Sequence, residues 1–418
     1  MATSQVRFLS FRKNLLVEGG AERFMAEVID HMAKTGADAR GVTLNGKPAD
    51  KFFDGRYAHL NITRFSTEQY PGGLLDRILR SVWAVFKLRR FIKQFDPHFI
   101  CGQNTADAEI LYFATWGTRY KYSFFMPSTM FRFPDEGLKY TSKFYPKFHR
   151  AWEIIPGHKQ FVPEKAPARG AMRRLVNELR AVIQYRAVNK AEHMLMLTNQ
   201  MGKESQILYD RGYTMIKAGL AKELFEYAAG GARHDIKRKL GLEGKTMVLN
   251  INRLDHRKRI DMAIRGFKEL LQDFPDAYFV IGGRGAEKEN LEKLAAELGI
   301  ADRVKLIGFV PEDELYDHFL ACDVFIHLDW ADFDLAVLEG LALGKKVVAS
   351  SELESEGDLA QLNDTRLFRA YPAVKDVHET LARALRSKAE PPVPVMTALQ
   401  EYTWESYARN LLKLIQHG

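Results

Sequence analysis

The chain has 418 residues, of which 46% are hydrophobic and 27% charged, a balance that excludes disordered and fibrous proteins. This length exceeds what a single hydrophobic core supports, so we expect two domains of roughly 200 residues each. The net charge of +8 is uneven: residues 1–235 contain 36 Lys and Arg against 23 Asp and Glu, whereas residues 236–418 contain 25 against 30. The first half is therefore expected to meet an anionic surface.

Cysteine usage and hydropathy indicate the compartment. Cys101 and Cys322, the two cysteines, lie in apolar runs and exclude a disulfide or metal framework, which is typical of a reducing environment. The first seven residues have no apolar signal region, and the chain contains no run of 18 apolar residues. We expect a cytoplasmic protein, or one attached from its surface to the cytoplasmic face of the inner membrane.

The first half begins with the pattern of a Rossmann-like domain. A strand at residues 6–11 is followed by a loop to Gly19 and Gly20, and then by a helix that ends at Gly36. One face of this helix carries Phe24, Met25, Val28, Ile29 and Met32, and later strands are expected at 99–101, 122–126 and 193–198. We expect residues 1–226 to form the first domain, completed by residues 400–418.

Two segments of the first half mix basic and aromatic residues: a helix around residues 74–95 and an insert at about 132–190. The residues concerned are Arg77, Arg80, Lys87, Arg89 and Arg90 with Trp83, Phe86 and Phe91 in the helix, and Lys139, Lys143, Lys147, Arg150, Arg173, Arg174 and Arg180 with Tyr140, Phe144, Tyr145, Phe148 and Trp152 in the insert. This mixture suits an anionic membrane surface. Alternatively, these helices cover the sheet of the first domain and their charges are solvated. No nucleic-acid recognition motif accompanies them, so we expect no nucleic-acid partner.

The second half shows a clearer alternation of strands and helices. It follows a segment of flexible composition, residues 227–234. Strand-like runs at 247–252, 278–281, 304–307, 324–327 and 346–350 alternate with helix-period segments at 260–271, 286–298, 312–321 and 336–343. The pattern predicts a doubly wound parallel sheet in residues 227–399, with its ligand site at the carboxyl ends of the strands. Prolines at 391, 392 and 394 mark a break before a last helix at 404–415.

Glycines and cations at two strand ends suit a diphosphate. Gly19 and Gly20 open a helix and let backbone amides approach a phosphate, although a tight turn also explains them. Arg253 and Lys258 follow the first strand of the second half, where two fixed cations would meet a diphosphate. A solvated charged loop is the alternative interpretation of this second segment.

Two further turns follow strands of the second half. Gly283 belongs to a glycine-rich segment, 282–285, that is either a plain strand-to-helix turn or a contact with a bound donor. Val310 ends the segment Gly308-Phe-Val, which follows another strand and could present backbone atoms to a nucleotide base.

The segment 330–344 is the most informative one in the chain. It predicts a short apolar helix with a single charged residue, Glu339, whose burial is costly unless a partner hydrogen-bonds to the carboxylate. We expect that partner to lie outside the core of the chain. The helix begins at Leu335 and Ala336 after a polar segment, so its N-terminus can hold an anion. An anion at the helix start and a hydroxyl at Glu339 together suggest a nucleotide-sugar diphosphate; a surface helix with a solvated Glu is the alternative.

Asp332 and Asp334 lie just before this helix. Two carboxylates at this spacing can hold a divalent metal on a nucleotide diphosphate. Because the surrounding rhythm is that of a doubly wound sheet, we expect no metal here. The histidines show no zinc-site spacing.

Taken together, these motifs resemble retaining glycosyltransferases of family 4, which have the GT-B architecture of two facing Rossmann-like domains and a C-terminal helix that crosses back to the N-terminal domain. The resemblance covers nearly the whole chain and is strongest from residue 247 to residue 350. It implies that Gly19, Gly20, Arg253, Lys258 and the amides of Leu335 and Ala336 contact the donor diphosphate. It also implies that Val310 lies at the base, and that Glu339 binds the ribose hydroxyls.

Two positions depart from the family pattern. Ala331 stands where the family has the first Glu of its paired-Glu motif, and Asp332 and Asp334 replace the glycines that usually flank the Phe. Residues 127–129, Pro-Ser-Thr, stand where a His is usual. Both positions normally touch the transferred sugar, so Asp332 or Asp334 is expected to take over contacts that Ala331 lacks.

The resemblance implies a metal-independent retaining hexosyltransferase without a cofactor, which uses a UDP- or GDP-sugar. Its acceptor would be a glycan or lipid-linked molecule in lipopolysaccharide or other envelope polysaccharide synthesis. Two alternatives remain: a catalytically silent nucleotide- or glycan-binding subunit of a glycosyltransferase complex, and a sugar-nucleotide epimerase on the same fold.

Overall fold

The chain forms two compact units. The computed structural model describes residues 5–15, 20–46, 55–66, 74–126, 145–154, 171–329, 335–351, 359 and 362–417. Unit 1 comprises Met1–Gly219 and Trp404–Gly418, and unit 2 comprises Leu220–Thr403. The division precedes the segment 227–234, in which we expected the boundary, because Asp317 holds that segment in unit 2: its carboxylate accepts hydrogen bonds from the backbone N–H groups of Arg233 (2.8 Å) and His234 (3.1 Å).

The described residues of unit 1 form a seven-stranded parallel sheet in the order β3-β2-β1-β4-β5-β6-β7. The strands are β1 (Arg7–Leu15), β2 (Asp38–Gly46), β3 (Ile62–Ser66), β4 (Phe99–Gly102), β5 (Ser123–Met126), β6 (Met194–Met196) and β7 (Thr214–Met215). Strands β4, β5 and β6 are buried throughout, as expected for the centre of a sheet covered on both faces.

Helices cover both faces of this sheet. They are α1 (Gly20–Lys34), α2 (Leu74–Phe95), α3 (Thr105–Thr115), α4 (Tyr145–Ile154), α5 (Ala171–Lys190), α6 (Asn199–Tyr209) and the C-terminal α15 (Trp404–His417). Helix α15 packs against α1, and the Phe24 ring of α1 stacks on Phe125 of β5 at 4.1 Å. Helix α3 contacts both α2 and α5. In the described part of the chain, no helix has the length and apolar character to cross a bilayer.

The described residues of unit 2 form a six-stranded parallel sheet in the order β10-β9-β8-β11-β12-β13. The strands are β8 (Thr246–Ile251), β9 (Ala277–Gly282), β10 (Val304–Gly308), β11 (Val324–His327), β12 (Lys346–Ser350) and β13 (Leu367–Ala370). The helices are α7 (Glu223–Gly230), α8 (Ile236–Leu240), α9 (Ile260–Leu270), α10 (Lys288–Glu297), α11 (Glu312–Ala321), α12 (Leu335–Ala342), α13 (Val374–Arg386) and α14 (Val393–Gln400).

Alternating side chains give unit 2 a core on each face of its sheet. Val248 and Ile326 belong to the cluster that contains residues of α9, α10 and α13. Leu249 and Phe325, their neighbours in sequence, belong to the cluster that contains residues of α7, α8, α11, α12 and α14. The period of two along each strand therefore produces the doubly wound architecture.

The predicted fold class is confirmed: each unit is a Rossmann-like parallel sheet, and the C-terminal helix returns to unit 1. Sequence reasoning missed strands β2, β3, β7 and β13. Of the insert at 132–190, residues 132–144 and 155–170 lie outside the described residues, and the described remainder consists of helices α4 and α5.

Candidate functional site

Strand order locates a crevice in each unit. In unit 1, β2 and β3 lie on one side of β1, and β4 and the later strands lie on its other side, so the strand order reverses between β1 and β4. In unit 2 the strand order reverses in the same way between β8 and β11. Ligands of open parallel sheets bind outside the carboxyl ends of the strands at such a reversal. The residues that follow β1, β4, β8 and β11 are therefore the candidate site residues, and each unit is described by itself.

Polar side chains join the ends of β8 and β11 in unit 2. Asn250 donates a hydrogen bond through Nδ2 to the carbonyl of Ile326 (2.8 Å). One strand position beyond β8, the Asn252 amide donates to Nδ1 of the buried His327 (2.9 Å). These bonds hold the two strand ends together and fix the loop that leaves β8.

Lys258 is held at this crevice by an ion pair. Its Nζ donates a hydrogen bond to Oδ2 of Asp329, which lies just beyond β11, and both side chains are mostly buried. Lys258 is the last residue of a short turn, His256–Lys258, that Asp255 caps. The Oδ1 atom of Asp255 accepts a hydrogen bond from the backbone N–H of Arg257 at 3.1 Å. The Arg257 side chain also binds Asp255 and holds the pKa of that carboxyl well below its usual value. Lys258 is thus a fixed cation, and Arg257 is neutralised by its own neighbour.

Arg253 is the exposed cation of the same loop. It follows β8 and has no ion pair with any residue that the structure describes. Arg253 and Lys258, predicted as diphosphate contacts, therefore belong to one loop at the reversal point, as their spacing indicates.

The glycine-rich turn after β9 packs against this loop. A Cβ at Gly283, whose φ is +135°, would lie 1.7 Å from the carbonyl oxygen of Asn252, and a Cβ at Gly285 would lie 2.0 Å from that of Leu254. The Gly283 N–H donates to the carbonyl of Gly308 at 2.6 Å. Close backbone packing therefore accounts for Gly283, and its assignment as a donor contact stays a prediction.

The end of β10 completes this side of the crevice. Val310 is buried, and its Cγ2 would be 2.6 Å from a Cβ at Gly282. Its neighbour Phe309 is more than half exposed and lies below the Arg284 guanidinium, which is 5.2 Å from the ring centroid. The predicted contact of Val310 with a base would therefore use backbone atoms, whereas Phe309 offers an exposed aromatic ring.

Helix α12 follows β11 and begins at Leu335 and Ala336, the residues expected to meet a phosphate. Every residue from Val337 to Ala342 is buried, including Glu339. Glu339 has an interaction partner within the chain, so its burial does not by itself require a ligand, contrary to our expectation. The assignment of Glu339 to ribose hydroxyls stays a prediction.

Several predicted positions lie outside the described residues: Gly19, residues 127–129, Ala331, Asp332 and Asp334. Gly20 is described as the first residue of α1, in unit 1. The other predicted donor contacts that the structure describes all belong to unit 2.

A second polar network occupies the reversal point of unit 1. Asp107, which is fully buried, accepts hydrogen bonds from the backbone N–H groups of Lys13 (2.8 Å) and Gln103 (3.0 Å), and burial raises the pKa of its carboxyl. Asp107 thereby ties the last part of β1 to the residue that follows β4. The exposed Lys13 and Asn14 stand at this edge, and Asn45 donates a hydrogen bond to Oδ1 of Asn14 at 2.9 Å.

One group of metal-type ligands occurs among the described residues: Glu27, Asp30 and His31 of α1. Protein groups already satisfy its carboxylates. Tyr57 donates a hydrogen bond to Glu27 (2.6 Å), and Lys34 pairs with Asp30 (2.8 Å). We interpret the group as an ion-pair network on α1 and not as a metal centre.

Sequence reasoning missed Asn252, His327 and Asp329 in unit 2 and Asp107 in unit 1. A signal for the first three existed, because each lies at or just after a predicted strand. In a doubly wound sheet the first and fourth strands of the unit are neighbours. The pairing of Lys258 with Asp329, 71 residues apart, requires the folded structure.

Comparison with known proteins agrees with this geometry. Residues 232–403 match the family model described as Glycosyl transferases group 1. A GDP-mannose-dependent alpha-(1-6)-phosphatidylinositol monomannoside mannosyltransferase of Mycolicibacterium smegmatis is 30% identical over 198 residues, which cover 44% of this chain and 51% of that protein. One subunit of the human phosphatidylinositol N-acetylglucosaminyltransferase is 25% identical over 173 residues, which cover 40% of this chain and 35% of that protein. The chain thus spans about half or less of the length of these relatives.

The solved structures extend the likeness to the whole fold. A sucrose-phosphate synthase from Thermosynechococcus elongatus superposes with a TM-score of 0.72 at 16% identity, covering 99% of this chain and 98% of that chain. Residues 232–403 therefore form a domain of the glycosyl transferases group 1 family. The two Rossmann-like units together have the GT-B fold.

Proposed function

We propose that the protein is a metal-independent retaining hexosyltransferase that transfers a sugar from a UDP- or GDP-sugar to a glycan or lipid-linked acceptor of the cell envelope. The observation that carries the proposal is the pair of cations, Arg253 and Lys258, on one loop at the β8–β11 reversal of a glycosyltransferase-family domain. Helix α12 begins after the other strand of that reversal.

The donor diphosphate is the leaving group of this reaction. Negative charge develops on it as the bond to the sugar breaks, and preorganised cations and helix N-terminal amides stabilise that charge. Lys258 is paired with Asp329 before the donor arrives, so the diphosphate would compete with this carboxylate for the ammonium protons. The acceptor hydroxyl delivers its proton to the departing phosphate, which makes a separate base unnecessary.

Two cations and a helix N-terminus supply the positive charge that a divalent metal would otherwise supply. This is the basis for proposing that transfer needs no metal. Asp332 or Asp334 would contact the sugar in place of a carboxylate at Ala331, and Glu339 would bind the ribose.

The acceptor proposal rests on charge and on relatives. Residues 1–235 carry a net charge of +13, and they include the exposed Lys13 at the reversal point of unit 1. The names of two relatives describe transfer to phosphatidylinositol lipids. We therefore propose an acceptor on an anionic lipid surface, which places the protein peripherally on the cytoplasmic face of the membrane.

A silent subunit is the second candidate function. Ala331 and the segment 127–129 lack side chains that normally touch the sugar, whereas the diphosphate cations are present. A sugar-nucleotide epimerase on the same fold is the third.

One set of measurements distinguishes the three functions. Calorimetry with UDP and GDP measures nucleotide binding, and a panel of UDP- and GDP-sugars is then incubated with lipid-linked and soluble glycan acceptors, with and without excess EDTA. We expect transfer with retained anomeric configuration, unchanged by EDTA. Nucleotide binding without transfer would indicate the silent subunit, and interconversion of the donor sugar without an acceptor would indicate the epimerase. Loss of transfer in EDTA would restore the metal interpretation of Asp332 and Asp334.

A further inference from the structure

Helix α2 exposes an apolar stripe, although from Ala84 onward its opposite face is buried. Ala84, Leu88, Ile92 and Phe95 are buried, whereas Leu79, Val82, Trp83 and Phe86 are exposed, with Leu79 and Phe86 at 69% and 68% of full exposure. The exposed residues follow the i, i+3, i+4, i+7 spacing of one helix face. The helix thus has two apolar faces, only one of which is covered.

Helix α5 repeats this arrangement. Its residues Leu175, Val176 and Leu179 are exposed near its N-terminus, whereas Ala181, Gln184, Ala187 and Val188 farther along are buried. Exposed basic residues continue both helices beyond the apolar positions; they are Lys87, Arg90 and Lys93 in α2, and Arg180, Arg186 and Lys190 in α5.

The two stripes lie toward the same edge of the unit 1 sheet. Helix α2 ends at the amino edge of the sheet, that is, where the strands begin. Asp96, just after the helix, accepts a hydrogen bond there from the side chain of Arg7, the first residue of β1. Helix α5 ends at that edge too, because Glu192 donates through its backbone N–H to the carbonyl of Tyr122, just before β5. The first halves of both helices therefore lie toward the carboxyl edge, where Lys13 and Asn14 stand.

The stripe of α2 lies beside an edge strand of the sheet. From Phe95 back to Leu79 the helix rises roughly 24 Å, at about 1.5 Å per residue. Within this length, the Trp83 ring lies 6.5 Å from the Phe65 ring of β3. Because β3 is the last strand on this side of the described sheet, no further strand there covers the outer side of α2.

Charge identifies what covers these stripes. Helix α2 contains six Lys and Arg residues against one acidic residue, and α5 contains five against one. Apolar side chains with a basic collar match a bilayer with anionic headgroups, into which such residues insert. Trp83 with the Lys87 ammonium 4.0 Å from its ring suits the interface, because its ring is apolar and its cation reaches the headgroups.

We propose that the N-terminal halves of α2 and α5 insert together into an anionic bilayer and present the carboxyl edge of unit 1 to the membrane. This inference rests on the proposed lipid-linked acceptor and specifies how the protein reaches it. Binding then has an apolar component that salt does not screen, in addition to the electrostatic one.

Vesicle partitioning of the full chain tests the proposal. Wild-type protein is sedimented with vesicles of phosphatidylglycerol and phosphatidylcholine, or of phosphatidylcholine alone, at 0.1 M and 1 M salt, between which the screening length falls from about 10 Å to about 3 Å. We expect preference for the anionic vesicles and a bound fraction that persists at 1 M salt. The double variant Trp83→Ser/Phe86→Ser should lose about tenfold or more in partition coefficient and be released fully at 1 M salt, because it loses much of the apolar component of binding and retains the component that salt screens. Leu175→Ser/Leu179→Ser should act in the same direction.

A matched control and a depth measurement separate insertion from other causes. The control, Val393→Ser/Tyr371→Ser, removes two exposed apolar residues of unit 2 and should partition like the wild type. Brominated phosphatidylcholine should quench the wild-type fluorescence, and Trp83→Phe should reduce that quenching while it retains partitioning. The proposal would be overturned if the α2 and α5 variants both partitioned like the wild type. It would also be overturned if, in vesicle-free buffer, the wild type were dimeric and Trp83→Ser/Phe86→Ser monomeric, because the stripe would then be a dimer interface. Calorimetry with UDP and GDP in vesicle-free buffer reports separately on the proposed function, because these variants lie outside the nucleotide site.

Discussion

At the scale of single residues, we expect nucleotide binding at the proposed donor site to depend on the ion pair that Lys258 makes with Asp329 before a ligand arrives. A mostly buried ammonium without a partner is costly, and Asp329 removes that cost by pairing with it. A donor diphosphate would compete with Asp329 for the same Nζ protons. Lys258 and Asp329 should therefore affect nucleotide affinity in opposite directions.

We predict that Lys258→Ala weakens binding of UDP or GDP by about 1.5–3 kcal/mol, the scale of a charge-assisted hydrogen bond. Asp329→Asn should strengthen binding, because it frees the ammonium for the phosphate. Calorimetry measures both effects. Lys288→Ala, on the exposed face of α10, is the control and should leave the affinity unchanged.

Each single change leaves the other member of the buried Lys258–Asp329 pair without its partner charge, which lowers stability. The stability of each variant must therefore be measured by chemical denaturation alongside the binding measurement. The double variant Lys258→Met/Asp329→Asn removes both charges and should recover part of the stability without recovering affinity. Wild-type affinity in a folded Lys258→Ala variant would remove the phosphate assignment.

Asp332 and Asp334 carry the second residue-scale prediction. If one of them replaces the carboxylate absent at Ala331, its change to Ala should lower turnover and leave affinity for the free nucleoside diphosphate nearly unchanged. A sugar contact that strengthens in the transition state affects rate, whereas the diphosphate is held by other groups. Steady-state kinetics and calorimetry on the two single variants and the double variant provide the test. Full transfer by the double variant would contradict the replacement.

At the scale of elements, three strand-end loops of unit 2 fix one another through backbone contacts. Asn252 donates its N–H to Gly282, Leu254 to Arg284, and Gly283 to Gly308. No side chain fits between these loops, so glycine is required where they cross. The position of Arg253 and Lys258 therefore depends on the backbone packing of the two neighbouring loops.

Gly283→Ala should lower the free energy of unfolding by about 3 kcal/mol or more, because its Cβ meets a carbonyl oxygen and its φ is unfavourable for Ala. Gly244→Ala is the matched control: its φ is +71°, but nothing lies within 4 Å of the added Cβ. It should cost only about 1 kcal/mol. Urea denaturation of the two variants compares them, and equal losses would show that backbone conformation, not loop crossing, determines the need for glycine.

The elements that were predictable are those with strong hydrophobic patterns. Strands β11 and β12 match their predicted bounds, since Val, Phe and Ile begin β11 and Val, Val and Ala form the middle of β12. Strand β2 was missed because Arg40, Gly41 and Asn45 interrupt its apolar pattern, although most of the strand is buried in the fold. Strand β13 has four residues, one of them Arg369. Short or polar strands are determined by their neighbours in the sheet, which a local pattern does not contain.

The candidate site divides in the same way. The position of Arg253 and Lys258 in the loop after β8 was predictable because that loop follows a strongly hydrophobic strand, whereas their contact with a diphosphate stays a prediction. The partners Asp329 and Asp107 were not, because each is selected by strands brought together from distant sequence. The exposed stripe of α2 was predicted only as a basic and aromatic helix, since sequence alone does not say which of two apolar faces is covered.

At the scale of the whole molecule, the chain passes between the units at Gly219–Leu220 and again at Thr403–Trp404. Leu220 donates its N–H to the carbonyl of Tyr402 at 2.9 Å, so the two passages are joined within unit 2. Asp317 then anchors the following segment. Polar contacts with Asp317 thus hold the segment 227–234 in unit 2. Composition alone predicted this segment to be flexible.

Asp317 gives this anchor a dependence on pH. Burial favours the protonated carboxyl, but the Tyr227 hydroxyl, the Arg233 N–H and His234 outweigh it and hold the pKa of Asp317 below its ordinary value of 3.8. Because the folded pKa is the lower one, the carboxylate contributes stability that is complete above the unfolded pKa and is lost as pH falls through the folded pKa. Asp317→Asn should therefore cost about 2 kcal/mol or more at pH 7, since it removes an acceptor from buried donors, and this cost should shrink below pH 3.8. Urea denaturation from pH 7 to pH 3 measures the difference between variant and wild type, with Asp302→Asn at an exposed site as the control. A difference that stays constant over this range would show that the Asp317 charge plays no part in the anchor.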